Sequence, residues 1–544
     1  MTRYLYGAAA QGIQQFIFYT NKLREIVGAS ELVEEICTTK FAEVLYPNFT
    51  YSEDAYSFAR KMLKDDSNAI LNAAGNIKYI FLDKALCQKV VREFPRMIFE
   101  FAPGVTLSQA VVEFNEGESF ADKVDLLESR LREQRNKPMR SASLGIMGIE
   151  RSRQTGLPVV VHSKPQKAGT EDDEELKYIN EDAATWSKLY FKNRDKNFNQ
   201  RRTTLNLCRK AFGREVLKAR EIAFNISDMT GQNDWVAVIH ADGNGLGQVV
   251  QKIGSDDKKF KTFSLGLDVA TTQAAVSAYN LIAEKHCINP NQRISIRPIV
   301  LGGDDLTVVC RADLAIPFVK ELITQFESNT RTHLGKIIKE DVAFSKGDAR
   351  DCLTACAGIA FIKSSYPFYY GYELAEALCD RAKKDAKNKD SIRSGKELPQ
   401  SCIMFHKVQD SFAEDFNDIA TRELKPNDKV SFEFGPYYLR KKECRWTIDD
   451  LLSCAAELED EDGNALKSGL RQWMTIEHES AEKASQRLDR LREMTAKDKL
   501  STLNRLLPNN AESCSAFCRV DNVKSYPVYD VLAVHTIMCQ NTND

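Results

Sequence analysis

The chain has 544 residues, 43% of them hydrophobic and 28% charged, the proportions of a globular protein long enough for three or four ordinary cores. Its 75 basic and 77 acidic residues leave a formal net charge of −2, which excludes a chain-wide cationic surface for nucleic acid but not a local one. No uncharged apolar run approaches the roughly eighteen residues of a membrane span, and Met1-Thr2-Arg3-Tyr4 lacks a signal-peptide pattern, so a cytoplasmic protein is expected. The 14 cysteines form no Cys-x-x-Cys pair. The closest pairs, Cys352/Cys356 and Cys514/Cys518, have no histidine at ligand spacing, so the thiols read as small buried hydrophobes.

In chain order, Arg3 to Gly7 reads as a short strand. Ile13, Phe16 and Ile17, then Leu23, Ile26 and Val27, follow at helical period, and a second helix runs through Leu32, Val33 and Ile36 toward Leu45. A hairpin (Ala69 to Leu71, then Ile77 to Leu82), a helix from Lys84 to Phe94, a strand around Val105 to Phe114 and a charged helix from Ala121 to Arg135 complete a first domain, 1–136. That order is the order of a ferredoxin-like sheet.

Residues 137–233 read as a connector. They hold Ser141-Ala142-Ser143, a Thr155-Gly156-Leu157-Pro158 turn, the strand Val159 to Val161, an acidic run from Glu171 to Glu175 and a basic, polar stretch from Lys192 to Arg202. The charge runs read as solvated surface.

Residues 234–422 repeat the first domain's order. The elements are a strand at 235–241, helices at about 244–252 and 266–286, a hairpin at 293–301 and 305–310, and a helix at about 313–328. A strand from Leu353 to Ile362, a helix from Tyr370 to Lys387 and the apolar run Ile403 to Phe405 follow. At the hairpin turn the second copy has Gly302-Gly303-Asp304-Asp305 where the first has Ala73-Ala74-Gly75-Asn76, so the small residues persist and both carboxylates are gone. One copy reads as catalytic and the other as scaffold, or as a nucleotide-shaped pocket without metal. Residues 423–544 read as a helical domain, with helices at Ile448 to Glu457, Ala465 to Ile476 and Ala481 to Met494 and an apolar end from Tyr529 to Met538. The fold class is therefore α+β, with two ferredoxin-like palms, a connector and a helical domain.

The chemistry concentrates between Trp235 and Cys310. An apolar strand delivers Asp242, and a hairpin turn some sixty residues on delivers Asp304 and Asp305. Carboxylates fixed by a strand end and a turn suit Mg²⁺ or Mn²⁺ with a nucleoside triphosphate, because the metal meets the charge that builds on the phosphate oxygens. Asp242, helped by the Gly243 carbonyl, is the first expected ligand. Asp304 would bridge, and Asp305 would serve a second ion or the attacking ribose hydroxyl. Gly243, Gly302 and Gly303 would let phosphate approach the backbone. Gly243 to Gly247 has the wrong glycine spacing for a dinucleotide fingerprint, and Ile253 stands where an EF-hand loop starting at Asp242 needs Glu.

Ala375 to Lys383 resembles the phosphate-binding helix of diguanylate cyclases. That likeness makes Lys383 the expected triphosphate cation, with Lys384 and Lys387 as alternatives.

The strand and turn from Val236 to Gly247, the Gly302–Asp305 turn, and the opening segments Gln11 to Ile17 and Lys22 to Ser30 together resemble the large subunit of type III CRISPR effector complexes, in its Cmr-type "Cas ten" form. The resemblance spans most of the chain. It implies a nucleotidyl-cyclase palm in each half and conversion of ATP into cyclic oligoadenylate messengers when a complex with other subunits, crRNA and target RNA is engaged. AMP conjugation to a small molecule such as S-adenosylmethionine, and a non-catalytic scaffold role, are the alternatives, with a homodimer expected if the protein stands alone. Three departures stand out. There is no His-Asp dipeptide, so no HD nuclease is expected. No cysteine pair lies near Ser152 and Thr155, which argues against a zinc site. The strand turn reads Asp242-Gly243-Asn244 where the family commonly has Asp-Gly-Asp, so Asn244 would orient a ligand or water without adding charge.

Overall fold

The computed structural model describes residues 2–49, 55–73, 75–115, 117–137, 148–153, 155–163, 179–192, 199–201, 205–214, 217–230, 235–253, 256–285, 293–341, 351–387, 399–410, 415–442, 445–508, 518–520 and 523–538. The expected features at Ser141 to Ser143, Ala74, Glu171 to Glu175 and Cys514 lie outside these residues.

Two compact units emerge. The first comprises residues 1–226, 247–272 and 298–303, and the second 227–246, 273–297 and 304–544. The first unit carries β1 (Arg3–Gln11), β2 (Ala69–Ala73), β3 (Asn76–Phe81) and β4 (Thr106–Phe114), hydrogen-bonded in the order β2-β3-β1-β4 with every pairing antiparallel. This is the ferredoxin-like order expected from the element sequence. β1 extends four residues beyond the expected strand. The run Ala8-Ala9-Ala10 has modest strand propensity, but all three residues are buried and Ala8 and Ala9 pair on both sides, and tertiary context overrides propensity there. The helix expected to stop at Phe94 runs from Lys84 to Phe101 with Pro95 inside it, and Ile98 beyond the proline is fully packed. Leu5, Val112, Phe114, Phe120 and Leu127 form part of one core cluster between sheet and helix. Two small sheets follow in the connector, β5 (Val159–Ser163) with β6 (Ile179–Asp182) and β7 (Tyr190–Lys192) with β8 (Asn199–Arg201).

The second large sheet is built on β9 (Trp235–Gly243), β10 (Ile296–Gly302, of which residues 298–302 count with the first unit), β11 (Asp305–Arg311), β12 (Ala355–Lys363) and β13 (Cys402–Lys407). Two short strands, β14 (Val430–Ser431) and β15 (Tyr437–Tyr438), come next in the chain. The sheet order is β10-β11-β9-β12-β13-β15. Its first four strands repeat the order of the other sheet, so the internal repeat is one of topology. β13 pairs parallel to β12 and β15 pairs antiparallel to β13, so the sheet reaches one strand further than the run Ile403 to Phe405 that was expected to close it. The helix Phe368–Ala386 bridges β12 and β13 and packs on both and on β9. It sits close because Gly358 of β12 has no side chain: a Cβ there would lie 1.9 Å from the Ala375 carbonyl oxygen.

Beyond the sheet the chain is mostly helical, with helices Ile448–Ala456, Glu461–Glu479, Ala481–Met494, Leu500–Leu506 and Val528–Met538. Thr447 and Asp450 close a capping box on the first of them. A small sheet of β14 with β16 (Cys518–Val520) and β17 (Val523–Ser525) was not foreseen, since its strands are two or three residues long. Tyr437 Oη donates to Asp530 Oδ2 at 2.7 Å, tying the sheet to the last helix. Nine described cysteines are buried, as expected of small hydrophobic thiols. No described helix is long and apolar enough to cross a membrane.

Candidate active site at the Gly302–Asp305 turn

β9 is the central strand of its sheet, and Val236 to Ile239 are each fully buried. This apolar run holds the strand rigidly and delivers Asp242 at its carboxyl end. β10 and β11 are joined by a turn at Gly303 and Asp304, with Gly303 at φ +65°, a left-handed conformation that glycine adopts without strain. Gly303 is further held by Thr271, whose hydroxyl donates to its carbonyl at 2.6 Å, and Lys210 Nζ donates to the carbonyl of Leu301 at 2.9 Å. Neither Thr271 nor Lys210 stands out in the sequence, because both contacts are long-range.

Asp304 packs on the backbone of Gly243: a Cβ at Gly243 would lie 2.9 Å from that of Asp304. The Asp304 side chain hydrogen-bonds to Asp242. Burial, then the hydrogen bond and charge of Asp242, push the Asp304 carboxyl up to about 8. Burial, then Asp242 and Glu376, push Asp305 up to about 7. The Asp305 side chain is 40% exposed as a whole, but its Oδ1 is enclosed and makes no hydrogen bond, with His240 Nδ1 3.5 Å away.

Lys383, from the helix Phe368–Ala386, forms an ion pair with Asp242. Burial works against the lysine's charge, and the bond to Asp242 outweighs it and raises its pKa. Lys384 and Lys387 are exposed. Asp242, Asp304, Asp305 and Lys383 thus belong to one electrostatic group, in which Asp242 and Asp304 meet directly. Among the described residues no set of three or more His, Cys, Asp or Glu side chains is already arranged around a metal position. The full three-carboxylate convergence expected from the sequence is therefore incomplete: Asp242 turns to Lys383 and Asp305 lies beside His240.

Asn244 differs from its expected role. It is fully buried, its Nδ2 donates to Thr354 Oγ1 at 3.2 Å and its backbone N–H to the Thr354 carbonyl at 2.7 Å. Its Oδ1 accepts from Cys356 Sγ at 3.4 Å. The amide is engaged in locking the strand turn to the start of β12, and a buried amide whose nitrogen and oxygen are both bonded to Thr354 and Cys356 is not free to orient a ligand or water.

Two residues near the carboxylates escaped the sequence reading. His240 lies two positions before Asp242, on the same strand face, and its pKa is held below the usual value by burial. Glu376 lies two helical turns before Lys383, on the same helix face, and raises Asp305. Strand and helix periods were signals for both.

At the corresponding turn of the first sheet, Gly75 is left-handed at φ +75°, and a Cβ there would lie within 4 Å of the Ile13, Ala10 and Val33 side chains. The adjoining cleft of about 770 Å³, lined by Gln11, Thr106, Ser108 and Lys188 among others, has no described carboxylate.

Residues 235–393 match the family described as Cas10/Cmr2, second palm domain. That stretch is similar to the second palm of this family. It begins at Trp235, spans all three candidate carboxylates and ends beyond Lys383. Among solved structures, one of a Csm1-Csm4 cassette in complex with cA4 matches at TM-score 0.54 and 13% identity, covering 99% of this chain and 70% of that one. The Csm1-Csm4 subcomplex of the type III-A CRISPR-Csm interference complex matches at TM-score 0.51 and 15% identity, covering 99% and 70%. A Csm1-Csm4 cassette in complex with one ATP matches at 0.50 and 16%, covering 99% and 69%. These likenesses extend the shared fold beyond the second palm to nearly the whole chain. No curated protein sequence matches it.

Proposed function

We propose that the protein is a nucleotidyltransferase that converts ATP into cyclic oligoadenylate within a cytoplasmic type III CRISPR-like assembly. The observation that carries this reading is the group Asp242, Asp304 and Asp305 set against Lys383 at one end of the second palm sheet. The Csm1-Csm4 cassettes that share the fold were solved with cA4 and with ATP, which supports an adenylate substrate and product and a further subunit as partner. The proposed assembly also holds crRNA and target RNA.

The donor set fits a divalent cation such as Mg²⁺ or Mn²⁺. Two turn carboxyls are pushed far up by burial and by Asp242, and Asp305 Oδ1 is enclosed without a hydrogen bond, as expected of oxygens gathered for a positive charge. Asp242, Asp304 and Asp305 would hold it. When bound, such an ion neutralises charge on the phosphate oxygens and acidifies the attacking hydroxyl. The chain's own residues do the rest. Gly302 and Gly303 leave room for phosphate beside the turn. Lys383 exchanges its bond to Asp242 for the β- and γ-phosphates. Asp305 takes the proton of the ribose 3′-hydroxyl as its oxygen bonds to the α-phosphorus and pyrophosphate departs.

The deciding experiment incubates the protein, with and without co-purifying subunits and RNA, with labelled ATP and Mg²⁺ and identifies products by mass. Oligoadenylates are expected, and replacing Asp304 and Asp305 together by Ala should reduce their formation by roughly a hundredfold or more with the fold intact. An AMP conjugate, or no turnover and no Mg-ATP binding with partners present, would overturn the reading.

A further inference from the structure

β12 and β13 are parallel, and both end at the opposite edge of the second palm sheet from Asp242. Lys363 is the last residue of β12 and Lys407 the last of β13, while Trp235, the first residue of antiparallel β9, pairs with Lys363. Asp242 lies seven residues further along β9, roughly 23 Å away at about 3.3 Å per residue. A crevice at the carboxyl ends of parallel strands is a recurrent position for a ligand. Here it is a cleft of about 1100 Å³, floored by the sheet and walled by the helices Glu461–Glu479 and Val528–Met538.

The cleft's charge is lopsided. The Lys363 and Lys407 ammonium groups stand 4.5 and 4.7 Å from the centroid of the Trp235 ring. Arg471 lines the same cleft. Against the four cations Lys363, Lys407, Arg422 and Arg471 the lining has two acids, Asp410 and Glu423, which lie 3.7 and 2.8 Å from Arg422. Burial, then Lys363 and Arg471, hold the Lys407 pKa below the usual lysine value, so the charges that act on it are themselves cations. Clustering cations in a partly enclosed site is unfavourable unless something negative shares it, and contact with an indole face offsets this only in part. An aromatic ring beside clustered cations also suits a base attached to a phosphate.

We propose that this cleft binds a phosphate-bearing ligand, taken either as a free nucleotide or as a phosphate of an RNA strand. Lys363, Lys407 and Arg471 hold the phosphate and Trp235 forms the apolar wall. The site is separate from the candidate active site and does not depend on its assignment.

The test uses the full chain carrying Asp304→Ala and Asp305→Ala, so that the palm carboxylates take no part. AMP and a short single-stranded oligoribonucleotide with a 5′-phosphate are titrated by calorimetry, with tryptophan fluorescence as a second readout. Binding of at least one probe is expected. Adding Lys363→Gln and Lys407→Gln should weaken it at least tenfold and, for the oligoribonucleotide, flatten the dependence of log K on log salt by about 1.4. Binding of AMP assigns a free nucleotide, and binding of the oligoribonucleotide without AMP assigns a strand phosphate. If the double replacement fails to fold by circular dichroism, Arg471→Gln, on an exposed helix position, replaces it. Failure of both probes to bind at millimolar concentration, or unchanged affinity in the variants, overturns the proposal. A cleft that takes an acidic peptide gives the first of these results.

Discussion

Asp304 and Asp242 hydrogen-bond to one another, side chain to side chain, where β9 ends and the β10–β11 turn begins. Burial and the neighbouring Asp242 hold the Asp304 carboxyl far above the usual carboxylate range, so without a cation Asp304 keeps its proton near neutral pH. The same crowding that suits the pair to a metal destabilises the empty fold.

That gives a pH prediction with a definite sign. Asp304 is raised from an unfolded value near 3.8 to about 8, so between those limits the native state binds more protons than the unfolded chain. Stability therefore falls as pH rises from about 4 through 8. Asp304→Asn removes the ionisation, and in metal-free buffer the variant should unfold at a higher temperature than the parent at pH 8.5, by on the order of 1 kcal/mol, with the difference vanishing near pH 4. Differential scanning calorimetry in a chelator checks this, and a parent equal to the variant at both pH values would contradict it.

Lys383 is the one lysine of its helix end that reaches Asp242, whereas Lys384 and Lys387 face outward. Lys383→Ala should raise KM for ATP roughly tenfold, the scale of one charge-assisted contact to phosphate. Lys384→Ala and Lys387→Ala should leave KM within about twofold. Steady-state kinetics on the three variants separates them.

Gly358→Ala tests the seating of that helix. Alanine in a strand is ordinarily better than glycine by roughly 0.5–1 kcal/mol. At this position the new methyl would meet the Ala375 carbonyl oxygen at 1.9 Å and the Cys379 nitrogen at 2.5 Å, both backbone atoms of the overlying helix. The clash wins, and about 2–3 kcal/mol of destabilisation is expected in urea unfolding, with turnover reduced because Lys383 moves with its helix.

Asn244→Asp would give the strand turn the Asp-Gly-Asp pattern from which this sequence departs. In this fold it places a carboxylate where a fully buried amide donates to Thr354. A loss of about 2–4 kcal/mol is expected at pH 8, narrowing toward pH 4 where a protonated acid can donate in the amide's place. Thermal melts at the two pH values decide it.

Both palms were legible because strong local signals agreed. Val236 to Ile239 are apolar without interruption, the turn is glycine-rich, and the first copy repeats the element order, so the sheet order followed from the sequence. Helix ends were less legible. The helix expected to end at Phe94 runs on through Pro95 to Phe101, with Ile98 buried beyond the proline. The helix expected to end near 328 runs from Ala315 to Asp341, with Leu334 and Ile338 kept on the core. At the candidate site the residue types were readable and their partners were not. Nothing local announces that Asn244 faces Thr354, that His240 flanks Asp305 or that Thr271 holds Gly303, since each pairing spans more than thirty residues or depends on how strands align.

The ion pair between Lys383 and Asp242 means that the resting pocket supplies its own counter-ion. On the proposed function, an incoming triphosphate has to displace that internal partner, so association is an exchange of like contacts and its net gain is smaller than the number of contacts suggests. Such self-occupancy favours a protein that idles quietly until the exchange is made worthwhile.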